Sequence, residues 1–280
     1  MDRITAQDIV SSTQLQPTAA QWAYENLEYL NKPMRLFGSS QKVEKGADKR
    51  DTYILYLQPA DKVALRTLCT AAASAGCKNP CLISSGQLGM STGQRAATKR
   101  TILMLLRPLW FKAQLLSEID KAERRALKTG IPALFRLNGT SDLDFSHIIV
   151  ERPHSAFYDY TKVLGRVRGN TLPNYHLTYS ASMYSKQSMA AFRKAVARQY
   201  NIAVAFNTKG LQSDDVYIPT EMASFDDTDL RPLDAQGTIG YLKRKGSNKA
   251  ERAQEGAQSF FVTSANVHTF QSIIATDKAA

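Results

Sequence analysis

Thr52-Tyr-Ile-Leu-Tyr-Leu57, followed after Pro59 by a loop that carries Cys69, Cys77 and Cys81, decides how this chain is read. A run of β-branched and aromatic residues stopped by proline is a buried strand. Five more runs follow at intervals: Ala133–Leu137, Ala156–Tyr160, Tyr175–Tyr179, Ile202–Phe206 and Thr238–Leu242. Ile202–Phe206 is apolar throughout, as a strand covered on both faces should be. Helix-length stretches separate most of them. The longest spans Gly93 to Lys128, with Pro108 as a break or kink, Gly130 as its C-cap and Pro132 forbidding continuation. A second runs from Ser185 to Gln199. The short interval between the third and fourth runs leaves room for a small helix only.

Strands alternating with helices imply parallel pairing through right-handed crossovers. The expected class is α/β, as a partial (β/α)6 barrel-like parallel sheet. Residues 1–50 read as an N-terminal extension that covers part of the core, with one short helix over Pro17–Leu30 and a charged loop, QKVEKGADKR, after it. Residues 51–246 form the α/β core. Residues 247–280 read as a solvated C-terminal arm that continues the basic run Lys243–Arg252.

The chain has 280 residues, 43% of them hydrophobic and 22% charged, which places it among globular proteins. Its longest mainly apolar run, Thr101–Leu116, is interrupted by Arg107, Pro108 and Lys112 and is too short to span a bilayer. The start, MDRITAQDIV, lacks the pattern of a secretory signal. A cytoplasmic protein is expected. The net charge of +11 favours polyanions, nucleic acid among them, although a basic surface kept for solubility explains it equally well. Much of the excess lies in Arg95–Arg107 and Lys243–Arg252.

All three cysteines fall within thirteen residues, spaced Cys69-x7-Cys77-x3-Cys81, in a loop rich in glycine and proline. Convergent thiolates suit zinc or an iron–sulfur cluster. Three unrelated buried thiols are the plainer reading, made less attractive by the clustering. Zinc would need a fourth, remote ligand, with His147, His154 and His176 available. An iron–sulfur cluster commonly has four cysteines, so three would leave one iron open to a further ligand.

Three cysteines after the first strand of a six-unit (β/α) array resemble the cluster loop of radical S-adenosylmethionine proteins, whose commonest spacing is Cys-x3-Cys-x2-Cys. The resemblance implies a [4Fe–4S] cluster on Cys69, Cys77 and Cys81, bound S-adenosylmethionine, an adenosyl radical formed by its reductive cleavage, and an electron donor. It also implies that the polar turn after the second strand, Asn138-Gly139-Thr140-Ser141-Asp142, receives the cofactor's amino group. As residues, the same five make an ordinary turn with a helix N-cap. Lys162 and Ser180 lie at later strand ends, where such folds bind ligands, and could meet a carboxylate, phosphate or ribose. Solvated strand ends are the alternative.

The segments GCKNPCLISSGQLG, IPALFRLNGTSDLDF, FYDYTK, NYHLTYS and DDTDLRPLDAQGTIGYLKRKG are similar to a bacteriophage family labelled gene product eighty-eight, over roughly residues 50–246. That likeness implies a phage or mobile-element origin and brings no activity with it. His176 reads as a core histidine, and Asp226–Asp229 as solvated loop carboxylates. No GxxxxGK[ST] is present, which argues against an NTPase, and no His-hydrophobic-His argues against a rolling-circle nuclease. Two functions remain: a radical-SAM-like iron–sulfur protein, or a non-catalytic, metal-stapled nucleic-acid-binding protein whose basic helix Arg95–Arg107 tracks phosphates. The oligomeric state stays open.

Overall fold

The six runs read as strands pair in chain order. In the computed structural model, which describes residues 3–38, 50–207, 218–219, 221–245 and 258–275, they become β2 (Asp51–Leu55), β3 (Ala133–Arg136), β4 (Ala156–Thr161), β5 (Tyr175–Ser180), β6 (Ile202–Phe206) and β8 (Ile239–Lys243). Neighbours along this series are parallel throughout. Two strands of two residues each, too short to leave a periodic signal, extend the sheet. β1 (Phe37–Gly38) lies antiparallel on β2, and β7 (Ala223–Ser224) parallel on β8. The sheet of eight strands ends at β1 and β7, so it is open rather than closed into a barrel.

From β2 to β6 the strand order does not reverse, and right-handed crossovers then send the helices that connect these strands to the same face. Alternation along the strands agrees. Phe135 and Phe157 join the large core together with Ile102, Phe111, Leu115 and Ile119. Their neighbours Leu134 and Tyr158 pack on the opposite, inner side with Leu230.

The β2–β3 connection holds α4 (Gly86–Gly89), α5 (Ser91–Leu106) and α6 (Pro108–Thr129). The expected long helix is thus broken at Arg107, ahead of Pro108, and Gly130 closes α6 at φ 71°. Short α7 (Ser146–Ile149) and α8 (Leu164–Gly169) connect β3 to β4 and β4 to β5. Between β5 and β6, α9 (Lys186–Val196) starts at Ser185, whose hydroxyl accepts the Ser188 N–H.

The N-terminal segment does cover the core. Ile4, Ile9, Leu15, Leu30 and Leu36 share a cluster with Leu55 and Phe135. Its helices are α1 (Ala6–Val10), α2 (Pro17–Glu25) and α3 (Leu27–Asn31). The single helix expected over Pro17–Leu30 is divided at Asn26, whose side-chain amide donates to the Trp22 carbonyl and competes with the helical ladder.

At the other end, residues 258–275 of the stretch read as an arm belong to the core. Val262 bridges Phe206, and α10 (Val267–Ala275) sets Phe270 against Phe192 and Phe206, at ring-centroid distances of 6.1 and 5.3 Å. These apolar residues were hidden in a Ser/Thr/Ala-rich composition. The rest of that stretch, most of Lys243–Arg252 and nearly all of QKVEKGADKR lie outside the described residues.

The inner face is filled. Arg136 points inward from β3 and draws Asp229 onto it, Nη1 to Oδ2 at 2.9 Å, while the Tyr158 and Tyr160 hydroxyls donate to the same carboxylate at 2.8 and 3.1 Å. Arg231, 2% exposed, stacks 3.6 Å above the Phe225 ring. The Asp226–Asp229 stretch is therefore not the set of solvated carboxylates its composition suggests: Asp229 answers a buried guanidinium.

Candidate metal centre

Three pieces of chain meet at the carboxyl ends of β2, β3 and β4. The first is the cysteine loop. Beyond β2 the chain stays extended through Leu57, held by side chains rather than by a ladder: Thr140 Oγ1 donates to the Leu57 carbonyl at 2.5 Å, and the Gln58 N–H donates to Thr101 Oγ1 at 2.8 Å. Gly76 turns the loop with φ 65°, and a Cβ there would collide with the Tyr184 ring. The loop's small residues are tied to α9: the Ser185 and Ser188 hydroxyls donate to the Ser74 carbonyl at 2.9 and 3.0 Å, and Ser182 Oγ donates to Ala75 at 2.7 Å.

On its far side the loop is clamped by Gln94 of α5. The Gln94 amide donates to the Ile83 and Leu88 carbonyls at 2.5 and 2.7 Å, and Gln58 Nε2 in turn donates to Gln94 Oε1 at 3.0 Å. Nothing in the sequence marks Gln58 or Gln94 for this role: Gln58 follows an apolar run, and Gln94 is one polar residue among many in STGQRAATKR.

The second piece is the turn Asn138–Asp142. Gly139 is required where it stands, since a Cβ would come within 2.7 Å of Ile54 and Tyr56 side chains. Asn138 is spent inside the turn. Its Oδ1 accepts from Ser141 and from the Leu143 N–H, and its Nδ2 donates to Leu143 and Asp159. Asp142 accepts from Thr161 Oγ1 and the Lys162 N–H, both at 2.8 Å, and pairs with Arg166. Arg166, four residues beyond Lys162, was not singled out in the sequence. The acceptor implied for a cofactor's ammonium thus already meets a guanidinium.

The third piece is Lys162 itself, just past β4. Its Nζ donates to Ser180 Oγ at 2.6 Å and to the Ser180 carbonyl at 3.0 Å, and lies 4.3 Å from the Phe260 ring centroid.

The three thiols share this place. Cys69 is reached by the fields of Cys81, Asp142 and Cys77, and Cys81 by that of Cys77; Lys162 acts on both Cys77 and Cys81. Burial pushes all three thiols up, Cys69 to about 12, against the pull of the Ala60 N–H, 3.4 Å from its Sγ. Burial also lowers Lys162, and the thiols and Asp142 hold it back up. No disulfide joins the cysteines. Among the described residues no three His, Cys, Asp or Glu side chains are gathered as one metal ion requires. His176 sits on β5 near Asn201, its pKa lowered by burial and then by Arg231.

The sequence model of the family described as Gene product 88 matches residues 32–259. The chain belongs to that family. Gene product 88 is a phage protein family, and the match contains the cysteine loop, the Asn138–Asp142 turn and Lys162. No curated protein and no solved structure matches the chain.

The cations of the basic helix are engaged by the N-terminal segment, and Lys99 alone among them is fully buried. Lys99, 1% exposed, donates to the Tyr29 and Lys32 carbonyls at 2.5 Å each and lies 4.6 Å from the Tyr29 ring centroid. Arg95 lies 4.5 Å from the same ring centroid and donates to Asn26, Arg100 donates to the Arg35 carbonyl, and Arg107 pairs with Asp8. These cations fasten the N-terminal segment to α5. No helix among the described residues is long and apolar enough to cross a membrane.

Proposed function

We propose that this chain is an iron–sulfur protein whose [4Fe–4S] cluster is held by Cys69, Cys77 and Cys81. The observation that carries the proposal is that the chain's three thiols lie within one another's fields and that of the Lys162 ammonium, whose hydrogen-bond partners among the described residues are the two oxygens of Ser180. Soft sulfur ligands select such a group. In a cluster each thiolate binds a different iron, so the sulfurs stand further apart than around one zinc, where metal–sulfur distances are about 2.3 Å. When bound, the cluster supplies one-electron transfer, with one iron left open to a further ligand.

The chain's own part is electrostatic and mechanical. Burial keeps the three sulfurs protonated, so binding must displace those protons, and the Lys162 charge favours the thiolates that result. Gln94, Ser185 and Ser188 fix the loop at both ends. S-adenosylmethionine is left out of the proposal, because the Asn138–Asp142 side chains are satisfied within the fold. The nucleic-acid alternative is set second, because Lys99, Arg100 and Arg107 are engaged by the N-terminal segment, while Arg95 remains exposed.

Anaerobic reconstitution with ferrous iron and sulfide tests the reading. Wild type should retain iron after desalting, and Cys69→Ser, Cys77→Ser and Cys81→Ser should each lose most of it. Equal retention by wild type and all three variants would refute the ligand assignment.

A further inference from the structure

Two long stretches of the chain hold no aspartate or glutamate: Lys62–Ser117, with eight lysines and arginines, and Tyr160–Asn207, with seven. In a chain with 25 acidic residues, such gaps concentrate positive charge wherever the two stretches meet. They meet at the cysteine loop, where the Ser185 and Ser188 hydroxyls at the head of α9 donate to the Ser74 carbonyl.

Around the thiols that charge faces solvent. Lys62 and Arg66 are exposed ahead of Cys69, Lys78 is exposed between Cys77 and Cys81, and Lys186 is exposed beside Ser185. The field of Lys62 reaches Cys81. The carboxylate that meets this set is Asp61, just ahead of the first stretch, which pairs with Lys78 at 2.8 Å. All three cysteines are partly exposed, so a group held by their sulfurs lies close beneath this face.

The same loop also exposes apolar side chains. Leu65, Leu82 and Met90 are 50, 48 and 60% exposed, and Leu82 directly follows Cys81. Interfaces with nucleic acid are more polar than those between proteins and make little use of such residues. Apolar side chains, methionine among them, set within a charged rim are the make-up of a protein docking face.

We propose that the cysteine-loop face docks a small acidic electron-transfer protein, through Lys62, Arg66 and Lys186 at its rim and Leu65 and Leu82 within it. The proposal rests on the cluster reading for its purpose: the reduced carrier loses one electron, the cluster gains it, and no proton or group is transferred. Opposite charge brings the two proteins together quickly, and a contact of this kind is small and short-lived.

Calorimetric titration of the reconstituted chain with an acidic [2Fe–2S] ferredoxin tests the docking, and stopped-flow mixing with the same ferredoxin in its reduced form tests the transfer. Binding should weaken about tenfold or more between roughly 20 and roughly 300 mM salt. The double variant Lys62→Glu with Arg66→Glu, at two exposed positions, should bind about tenfold or more weakly and be reduced more slowly by ferredoxin. Its iron content and its reduction by dithionite, which needs no docking, should match wild type. Iron counted on the same samples keeps the two readings apart. A chain that retains no iron yet binds ferredoxin refutes the cluster and keeps the face; a chain that retains iron and does not bind ferredoxin overturns the proposal. Wild-type affinity in the double variant overturns it too, and binding of duplex DNA in place of ferredoxin assigns the face to nucleic acid instead.

Discussion

Cys69 and Asp142 meet backbone to backbone, as an isolated parallel bridge in which the Asp142 N–H reaches the Leu68 carbonyl at 2.9 Å. Two residues back, the Thr140 carbonyl lies 3.8 Å from the Cys69 sulfur. The cysteine loop is thus sewn to the turn after β3 as though the two strands had been lengthened past the sheet. Position 69 is fixed by main chain, whatever the sulfur later binds.

Gly139 is the point at which that seam is tightest. Gly139→Ala places a methyl against Ile54, Tyr56 and the Leu55 carbonyl. Overpacking of this kind costs about 1–3 kcal/mol, and the Gly139 N–H bond to Leu55 sits beside it. Denaturant unfolding should show a lower midpoint with an unchanged slope.

Gln94→Leu keeps the bulk of the side chain and removes the donors to Ile83 and Leu88, leaving two carbonyls without that partner. A loss of about 1–3 kcal/mol is expected. Hydrogen exchange should quicken in residues 81–90 before the sheet is affected, and reconstituted iron should fall. Unaltered exchange in that segment would show that Gln94 does not hold the loop.

Lys99→Met tests the claim that the basic helix is structural. The ammonium closes α3 through the Tyr29 and Lys32 carbonyls, so its removal should destabilise the chain by roughly 1–3 kcal/mol. Limited proteolysis should then cut first within residues 1–36. A fully stable variant with weakened DNA binding would instead restore the phosphate-tracking reading.

Asp159 gives the fold a pH signature. Burial lifts its carboxyl from 3.8 to about 6, although Asn138 and Tyr175 donate to it and Arg136 pulls the other way. A raised acid binds its proton more tightly folded than unfolded. Its contribution is complete below the unfolded value and is lost as pH rises through about 6, which amounts to roughly 2–3 kcal/mol. Asp159→Asn should flatten the stability profile across that window. Wild-type pH dependence in the variant would assign the effect elsewhere.

The strands and their order were legible because each is a short β-branched or aromatic run with a clear stop, and parallel pairing follows from the helices between them. The Pro108 break and the Gly130 cap were legible for the same local reason. What escaped was set by tertiary contact. Asp229 looks solvated until Arg136 on β3 is seen to point inward, and the polarity of Lys99 and Arg107 says nothing of the carbonyls and Asp8 they meet. Phe270 lies in a composition typical of tails, yet stacks on Phe192. Within the candidate site the cysteines and Lys162 could be named from spacing and strand ends, whereas the hold of Gln94 on the Ile83 and Leu88 carbonyls becomes visible only in three dimensions.

Iron and acid-labile sulfide, measured per chain on protein purified without oxygen and reconstituted, test the central claim most directly. The cluster reading predicts about four of each, with zinc absent. Protein that retains neither iron nor sulfide after reconstitution, or that carries one tightly held zinc in their place, would contradict it.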